Sequence, residues 1–199
     1  MSLSRFRILL WIMLGLAAVG MTALIWQQSA QRQTFSETSM GTIGGPFTLV
    51  GTDGQAFASA RLNGKPAAIF FGFTHCPDVC PTTLARLTKL RHQLGKGDDG
   101  FSIVFVSVDP ERDTPAELKN YLSLFDTPVV GLTGTPAQVE QVKKQYGIYS
   151  RKVPQPGGGY SVDHTAAVIL TDRNGQFVAT LSPDEGDAVA LEKLKRISA

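Results

Sequence analysis

Two nearly unbroken apolar segments, residues 67–73 and 102–108, constrain the fold of this chain more than any other feature. Each has the length of a β-strand and lacks regular polar alternation, which indicates strands buried on both faces. Between them, residues 81–94 carry leucines along one stripe, as an amphipathic helix does. Strand, helix and strand in this order predict parallel strands joined by a right-handed crossover.

The remaining segments extend this α/β pattern. Thr114 and Thr135 each precede a proline and stand three residues before Glu or Gln, so both predict the capping box of a helix start. The other predicted elements are a hairpin at 47–50 and 55–58, a helix from 115 to about 125, a strand at 129–132, a helix from 136 to about 146, a hairpin at 166–171 and 176–181, and a helix from 187 to about 196. The order predicts a mostly parallel sheet with added antiparallel strands, in a thioredoxin-like three-layer α/β sandwich with an N-terminal β-hairpin and a mixed central sheet.

The N-terminal segment has the features of a transmembrane helix. No charged residue occurs from Ile8 to Trp26, and as a helix this stretch is about 28 Å long, close to the ~30 Å hydrocarbon core of a bilayer. Arg5 and Arg7 precede it, so the positive-inside rule predicts a cytoplasmic N-terminus and an exported remainder. We therefore expect a single-pass protein of the bacterial inner membrane, with its C-terminal domain in the periplasm.

We predict that the chain has three parts. These are a membrane anchor at residues 1–26, a flexible polar tether at residues 27–44, and the thioredoxin-like domain at residues 45–199. A cleaved signal peptide is the alternative, although Gln28-Ser29-Ala30 is a poor small-residue cleavage site. In either case the domain lies outside the cytoplasm.

The charge of the chain does not suggest a nucleic-acid partner. Lys and Arg number 19 against 17 Asp and Glu, for a formal net charge of +2. Arg5 and Arg7 account for this excess, so the exported domain is neutral, whereas nucleic-acid binding requires a clustered basic face.

The two cysteines, Cys76 and Cys80, lie at the predicted junction of a buried strand with the following helix. Open α/β sheets place ligands at this edge, and the positive end of a helix there favours a thiolate. Their spacing puts both side chains on one helical face with Cβ atoms about 5–6 Å apart. The pair can therefore bind one metal ion or form a disulfide.

A stable soft-metal site needs a third ligand. Of three histidines, His164 directly precedes the predicted strand at 166–171, and the glycines at 157–159 would let its loop fold over the end of the sheet. We expect His75 to point away from its neighbour and His92 to be exposed near the end of a helix. Two thiolates and one imidazole suit Cu(I) and Cu(II), and a zinc site of Cys2His type is the chemical rival.

Three blocks of the sequence, residues 71–82, 108–115 and 162–165, resemble in order and spacing the signature blocks of the Sco/SenC family. The resemblance covers about residues 40–197. It implies that Cys76, Cys80 and His164 hold copper, whereas we expect block 108–115 to be structural.

The same resemblance implies a copper metallochaperone that acts in maturation of the CuA site of cytochrome c oxidase, by copper delivery, by reduction of that site's cysteines, or both. Its partners would be the CuA-bearing oxidase subunit, a copper donor and a thiol reductant.

Other classes of protein remain open at this point. A general periplasmic thiol–disulfide oxidoreductase would usually carry Cys-x2-Cys and gives His164 no role. A copper or redox sensor would have the same site. Residues 79–82 resemble the peroxidatic stretch of peroxiredoxins, but Phe73 and Pro77 stand where that family has Pro and Thr. We therefore expect a metallochaperone, and the enzymatic alternative that we keep is thiol–disulfide exchange by the pair Cys76 and Cys80.

Overall fold

Residues 43–199, the part of the chain that the computed structural model describes, are organised around nine strands and four α-helices. In chain order these are β1 (Thr48–Gly51), β2 (Ala56–Ala58), β3 (Ala67–Gly72), α1 (Val79–Leu94), β4 (Ser102–Ser107), α2 (Pro115–Leu122), β5 (Val129–Thr133), α3 (Pro136–Gln145), β6 (Ser150–Pro154), β7 (Tyr160–His164), β8 (Val168–Thr171), β9 (Phe177–Leu181) and α4 (Asp187–Ile197). Short 3-10 helices follow β2 and α1.

The predicted anchor, residues 1–26, and nearly all of the predicted tether lie outside the described residues. Both stay predictions. Within residues 43–199, no helix combines the length and the apolar character needed to cross a membrane.

Seven of the strands form one mixed sheet in the order β2-β1-β5-β4-β3-β8-β9. Only the pairs β3–β4 and β4–β5 are parallel, and the other four are antiparallel. The prediction of a mostly parallel sheet was therefore wrong, because the flanking hairpins β1–β2 and β8–β9 are antiparallel themselves and also pair antiparallel with the central strands β5 and β3. The mixed sheet and the N-terminal hairpin are confirmed.

Helices cover both faces of this sheet. Phe70 of β3 and Phe105 of β4 are register partners, and Tyr121 of α2 packs against Phe105 with ring centroids 5.8 Å apart. Phe71 points to the opposite face, where Tyr146 at the end of α3 packs 5.6 Å away. Helices α1 and α4 contact each other. The predicted three-layer sandwich of thioredoxin type is confirmed.

One hairpin escaped the sequence analysis. Strands β6 and β7 pair with each other as a separate two-stranded sheet, and Gly157, Gly158 and Gly159 form its turn with φ of 97°, 101° and 75°. The glycine tract therefore makes a turn with left-handed backbone, where prediction had a loose loop. Strand β6 contains no buried residue, so it offered no alternation of apolar and polar positions to detect.

The two predicted capping boxes differ. At Thr135 the reciprocal bonds with Gln138 are both present. At Thr114 the side chain accepts from the backbone N–H of Glu117, but the backbone N–H of Thr114 donates to the carbonyl of Arg112 instead. The helix that starts there ends at Leu122, earlier than predicted.

Candidate metal centre

The two cysteines lie between the end of β3 and the first turn of α1. Strand β3 ends at Gly72 and α1 begins at Val79, so Cys80 is helical whereas Cys76 lies in the preceding turn. The prediction that both share a helical face was wrong, but the turn still brings them together. The backbone N–H of Cys80 donates to Sγ of Cys76 over 3.4 Å. One of the unpaired amides at the helix start thus contacts the Cys76 sulfur.

Because Gly72 has no side chain, it leaves room for the Cys80 sulfur at the end of β3. A Cβ atom at position 72 would lie 2.9 Å from Sγ of Cys80 and 2.9 Å from Cε2 of Phe105. Cys80 is fully buried and Cys76 is partly exposed. One sulfur is therefore fixed inside the fold, while the other faces solvent.

His164 is the last residue of β7, not a loop residue as predicted. Its ring packs against Phe70 at 6.0 Å and against Phe73 at 5.8 Å, with the Phe73 ring perpendicular to it. These two rings belong to β3 and to the residue just after it. The histidine is thereby held at the edge where the Cys80 sulfur lies, with its Nε2 atom 3.6 Å from Sγ of Cys80.

The hydrogen bond of Nδ1 sets the tautomer of the neutral His164 ring. Nδ1 lies 3.0 Å from the carbonyl oxygen of Thr165, which can only accept, so Nδ1 carries a proton and donates it. In the neutral ring, Nε2 then presents its lone pair to the cysteines. Histidine ligands of metal sites are oriented in this way.

The ligand atoms of Cys76, Cys80 and His164 all lie within 4.8 Å of one another. Thiolate and imidazole ligands bind soft and borderline metals at about 2.0–2.3 Å, so one ion fits among the three atoms after small side-chain adjustments. The structure brings together all three residues that the sequence singled out, as a cluster suitable for a metal.

The two thiols differ in acidity. A hydrogen bond from the Cys80 thiol is the largest effect on Cys76 and, with further donors nearby, lowers the Cys76 pKa to about 4 against the opposing effect of burial. The pKa of Cys80 is raised, first because its proton bonds the Cys76 sulfur and then because it is buried. At neutral pH the metal-free pair therefore holds one thiolate and one thiol.

The other histidines lie outside the cluster. His75 is exposed, and its Nδ1 lies 3.0 Å from the hydroxyl of Thr74. His92 is exposed in the last turn of α1. Both positions agree with the expectation from sequence.

Asp113 holds the loop that leads to Cys76. Its fully buried carboxylate accepts the backbone N–H of Thr74 at 3.1 Å, the Thr74 hydroxyl at 2.6 Å and the Ser107 hydroxyl at 2.6 Å. Burial raises the pKa of Asp113. Sequence analysis treated residues 108–115 as structural only. The sequence did contain one signal that residues 108–115 belong to the site, because they directly follow β4 and so lie at the same sheet edge as the cysteines.

The fold and the site together define a thioredoxin-like domain with a Cys-Cys-His cluster suitable for a metal ion. The profile of the SCO1/SenC family matches residues 35–199. The chain belongs to the SCO1/SenC family.

Two relatives illustrate this membership. The mitochondrial protein SCO2 of Saccharomyces cerevisiae is 41% identical over 156 residues, which cover 77% of this chain and 52% of the relative. The SCO2-like protein RC0895 of Rickettsia conorii is 36% identical over 155 residues, which cover 77% of this chain and 76% of the relative. The chain thus spans about half the length of the yeast relative.

Solved structures agree in fold. Bradyrhizobium japonicum ScoI with copper bound is 48% identical with a TM-score of 0.71, and the match covers 78% of this chain and 99% of that one. Yeast Sco1 with copper bound is 38% identical with a TM-score of 0.71, covering 78% and 87%. BsSco, described as a Sco family member with a disulfide switch, is 25% identical with a TM-score of 0.63, covering 79% and 94%.

Proposed function

We propose that this chain is a copper metallochaperone that binds one copper ion, as Cu(I) or Cu(II), through Cys76, Cys80 and His164. The observation that carries the proposal is the convergence of these three ligand atoms within 4.8 Å of one another. The proton on Nδ1 of His164 supports it, since this leaves Nε2 free to bind a metal.

We propose copper rather than zinc as the ion. The three ligands found among the described residues are too few for a structural zinc site but match a catalytic Cys2His site, so the number of ligands alone does not separate the two metals. Thiolates favour Cu(I), and the imidazole extends the site to Cu(II). The copper-bound structures of the Bradyrhizobium and yeast relatives support the same choice.

The physiological role that we propose is assembly of the CuA site of cytochrome c oxidase. BsSco is described as a member of the Sco family of cytochrome c oxidase assembly proteins, which supports this role. The partners would be the CuA-bearing oxidase subunit, a copper donor and a thiol reductant. Cys76 and His164 are both partly exposed, so an incoming partner can reach these two ligands, whereas Cys80 is buried.

Reduction of the partner's cysteines is the second candidate activity, favoured by the thiolate of Cys76. The Cys76 thiolate attacks a partner disulfide and releases one partner thiolate. The Cys80 thiol, losing its proton to that thiolate or to solvent, then attacks Cys76 and releases the second partner sulfur. Two electrons pass from Cys76 and Cys80, which end as a disulfide, to the partner disulfide, which ends as two reduced cysteines.

We also propose that residues 8–26 span the bacterial inner membrane, with the N-terminus in the cytoplasm and the C-terminal domain in the periplasm. The proposal rests on the uncharged stretch and the preceding arginines. A fusion of alkaline phosphatase to the C-terminus should be active and sediment with membranes. An inactive fusion, or a soluble one, contradicts it.

The ligand assignment is tested by titrating the purified full chain with Cu(I) and with Cu(II) in the presence of competing zinc. We expect one ion per chain and, with Cu(II), intense visible charge-transfer bands from thiolate. Cys76→Ser, Cys80→Ser and His164→Ala should alter the spectrum or the affinity, while His75→Ala and His92→Ala serve as matched controls. Unchanged binding in the ligand variants would show that the assigned ligands are wrong.

Delivery is distinguished from sensing in cells. Deletion of the gene should lower oxidase activity, and added copper should restore it if the protein delivers copper. A reductase role predicts rescue by a thiol reductant instead. Normal oxidase activity together with altered expression of copper-responsive genes would favour a sensor.

A further inference from the structure

His164 is carried by a hairpin that does not belong to the main sheet. Strands β6 and β7 pair only with each other among the described residues. An isolated two-stranded hairpin is marginally stable in water. No atom lies within 4 Å of the Cβ position of Gly157, Gly158 or Gly159, so the turn itself does not pack on the domain. Contacts elsewhere on the hairpin must therefore hold the histidine in place.

Strand β7 directs three alternate side chains toward the domain. Tyr160, Val162 and His164 lie on one face of the strand, as the two-residue period of a strand requires. Val162 is buried, and Asp163 between it and the histidine is exposed. At ~3.3 Å per residue, Tyr160 is about 13 Å from His164 along the strand. Whatever fixes Tyr160 therefore helps to set the position of His164.

A buried polar cluster fixes Tyr160. Its hydroxyl donates to Asp109 over 2.9 Å, and Nη1 of Arg112 donates to its backbone carbonyl over 2.9 Å. The guanidinium of Arg112 also lies 3.8 Å from the centre of the Tyr160 ring and donates through Nε to Asp109. Asp109 is fully buried, and the Arg112 side chain is only 25% exposed.

The ion pair that joins the hairpin to the rest of the domain, Lys152–Glu111, is weakened by its exposure to solvent. Lys152 and Glu111 are 46% and 58% exposed, and an exposed pair contributes little stability. The Asp109–Arg112 pair is shielded from water, and its hydrogen bonds are charge-assisted. The guanidinium also lies 5.8 Å from the ring of Phe73, which packs on His164.

We propose that Asp109, Arg112 and Tyr160 form a latch that holds the β6–β7 hairpin and thereby positions His164 beside Cys80. The three are positioning residues, since none belongs to the metal cluster. With the latch closed the site has three ligands, and with the latch released it keeps only two thiolates. Because imidazole favours Cu(II) and thiolates alone suit Cu(I), the latch sets which oxidation state the site retains. This inference rests on the proposed copper binding.

The hairpin is tested first without metal. Arg112→Gln and Tyr160→Phe should each speed amide hydrogen exchange in residues 150–164 of the metal-free full chain, on the order of tenfold for loss of a charge-assisted bond. Amides of β3 and β4 should be unaffected. Arg151→Gln is the matched control, because it breaks an exposed pair with Asp163 on the same hairpin. Exchange no faster than in this control overturns the latch, whether or not the protein binds copper.

Copper affinity then tests the consequence for His164. Arg112→Gln and Tyr160→Phe should weaken Cu(II) binding by about tenfold and Cu(I) binding much less. Added to His164→Ala, they should weaken Cu(II) no further, as expected for residues that act through one ligand. Equal losses for both oxidation states, or additive losses in the His164→Ala background, contradict the proposal. If wild type binds no copper, the proposed function fails, and the exchange measurement still decides on the latch.

Discussion

Nε2 of His164 lies 3.6 Å from Sγ of Cys80, although the two residues are 84 positions apart in the chain. One is the last residue of a hairpin strand, and the other is in the first turn of α1. Phe70 and Phe73 pack on the histidine, and Gly72 leaves room for the sulfur. Residues at the end of β3 thus position both His164 and the Cys80 sulfur.

In the metal-free protein, the alkylation rate of Cys76 should depend far less on pH than that of an ordinary thiol. Because the Cys76 pKa is lowered to about 4, its thiolate fraction is nearly complete throughout pH 6–8. Its rate with iodoacetamide should therefore be almost flat over that range, while an ordinary thiol gains about tenfold per pH unit below its pKa. Mass spectrometry of the modified peptide gives the rate.

A pair of variants isolates the cause of this low pKa. Cys80→Ala removes the hydrogen bond that chiefly lowers the Cys76 pKa, so alkylation of Cys76 should become steeply dependent on pH. Cys80→Ser retains a donor and should keep much of the flat profile. A Cys76 rate that rises steeply with pH in the wild type would contradict the assigned thiolate.

Binding of Cu(I) near pH 7 should release one proton. Cys76 is already a thiolate, whereas the raised pKa of Cys80 keeps that thiol protonated until the metal replaces the proton. The affinity for Cu(I) should consequently rise with pH, about tenfold per unit. Calorimetry in buffers of different ionisation enthalpy measures the proton count. Cys80→Ser should abolish the release and His164→Ala should preserve it, whereas release of two protons by the wild type would rule out the thiolate–thiol pair.

Removal of the Asp113 carboxylate should loosen the loop before Cys76. Asp113→Ala leaves the Thr74 amide and the Thr74 and Ser107 hydroxyls without their acceptor, at a cost of about 1–3 kcal/mol in the free energy of unfolding. Urea unfolding of the metal-free chain measures this loss. Asp126→Asn, at an exposed position, is the control. Equal stability of the two variants would mean that the buried hydrogen bonds of Asp113 add nothing.

The strands and helices that sequence analysis found are those with a strong local signal. Buried strands β3 and β4 are almost wholly apolar, and α3 begins with a complete capping box. Hairpin β6–β7 was missed because β6 contains no buried residue, and β7 contains a single one, Val162, so neither strand forms an apolar run. The predicted share of parallel strand pairings was wrong because the order of strands in a sheet depends on packing between distant segments.

The metal ligands were found because their side-chain chemistry is rare in this chain, which has two cysteines and three histidines. The supporting residues Asp113 and Arg112 were not identified. Asp113 contacts Thr74 across 39 positions and Arg112 contacts Tyr160 across 48, and neither pairing leaves a periodic pattern in the sequence. Acidic and basic residues near a helix start have an ordinary structural explanation, so only the coordinates assign them to the site.

Gly72→Ala should displace the Cys80 sulfur and weaken the metal site. The added methyl group would lie 2.9 Å from both Sγ of Cys80 and the Phe105 ring, and neither can move freely inside the core. Overpacking of this kind costs about 1–3 kcal/mol in stability. We expect lower affinity for Cu(I) and Cu(II) alike, because both oxidation states use the displaced thiolate. Competition titrations of the full chain measure this, together with thermal unfolding.

Gly186→Ala is the matched control for this substitution. Position 186 has an ordinary φ of −63°, and nothing lies within 4 Å of its Cβ position. It should bind copper like the wild type. A Gly72→Ala protein with wild-type affinity for both copper ions would mean that Sγ of Cys80 can shift without loss, and Cys80 would then be a poor candidate for a fixed ligand of the centre.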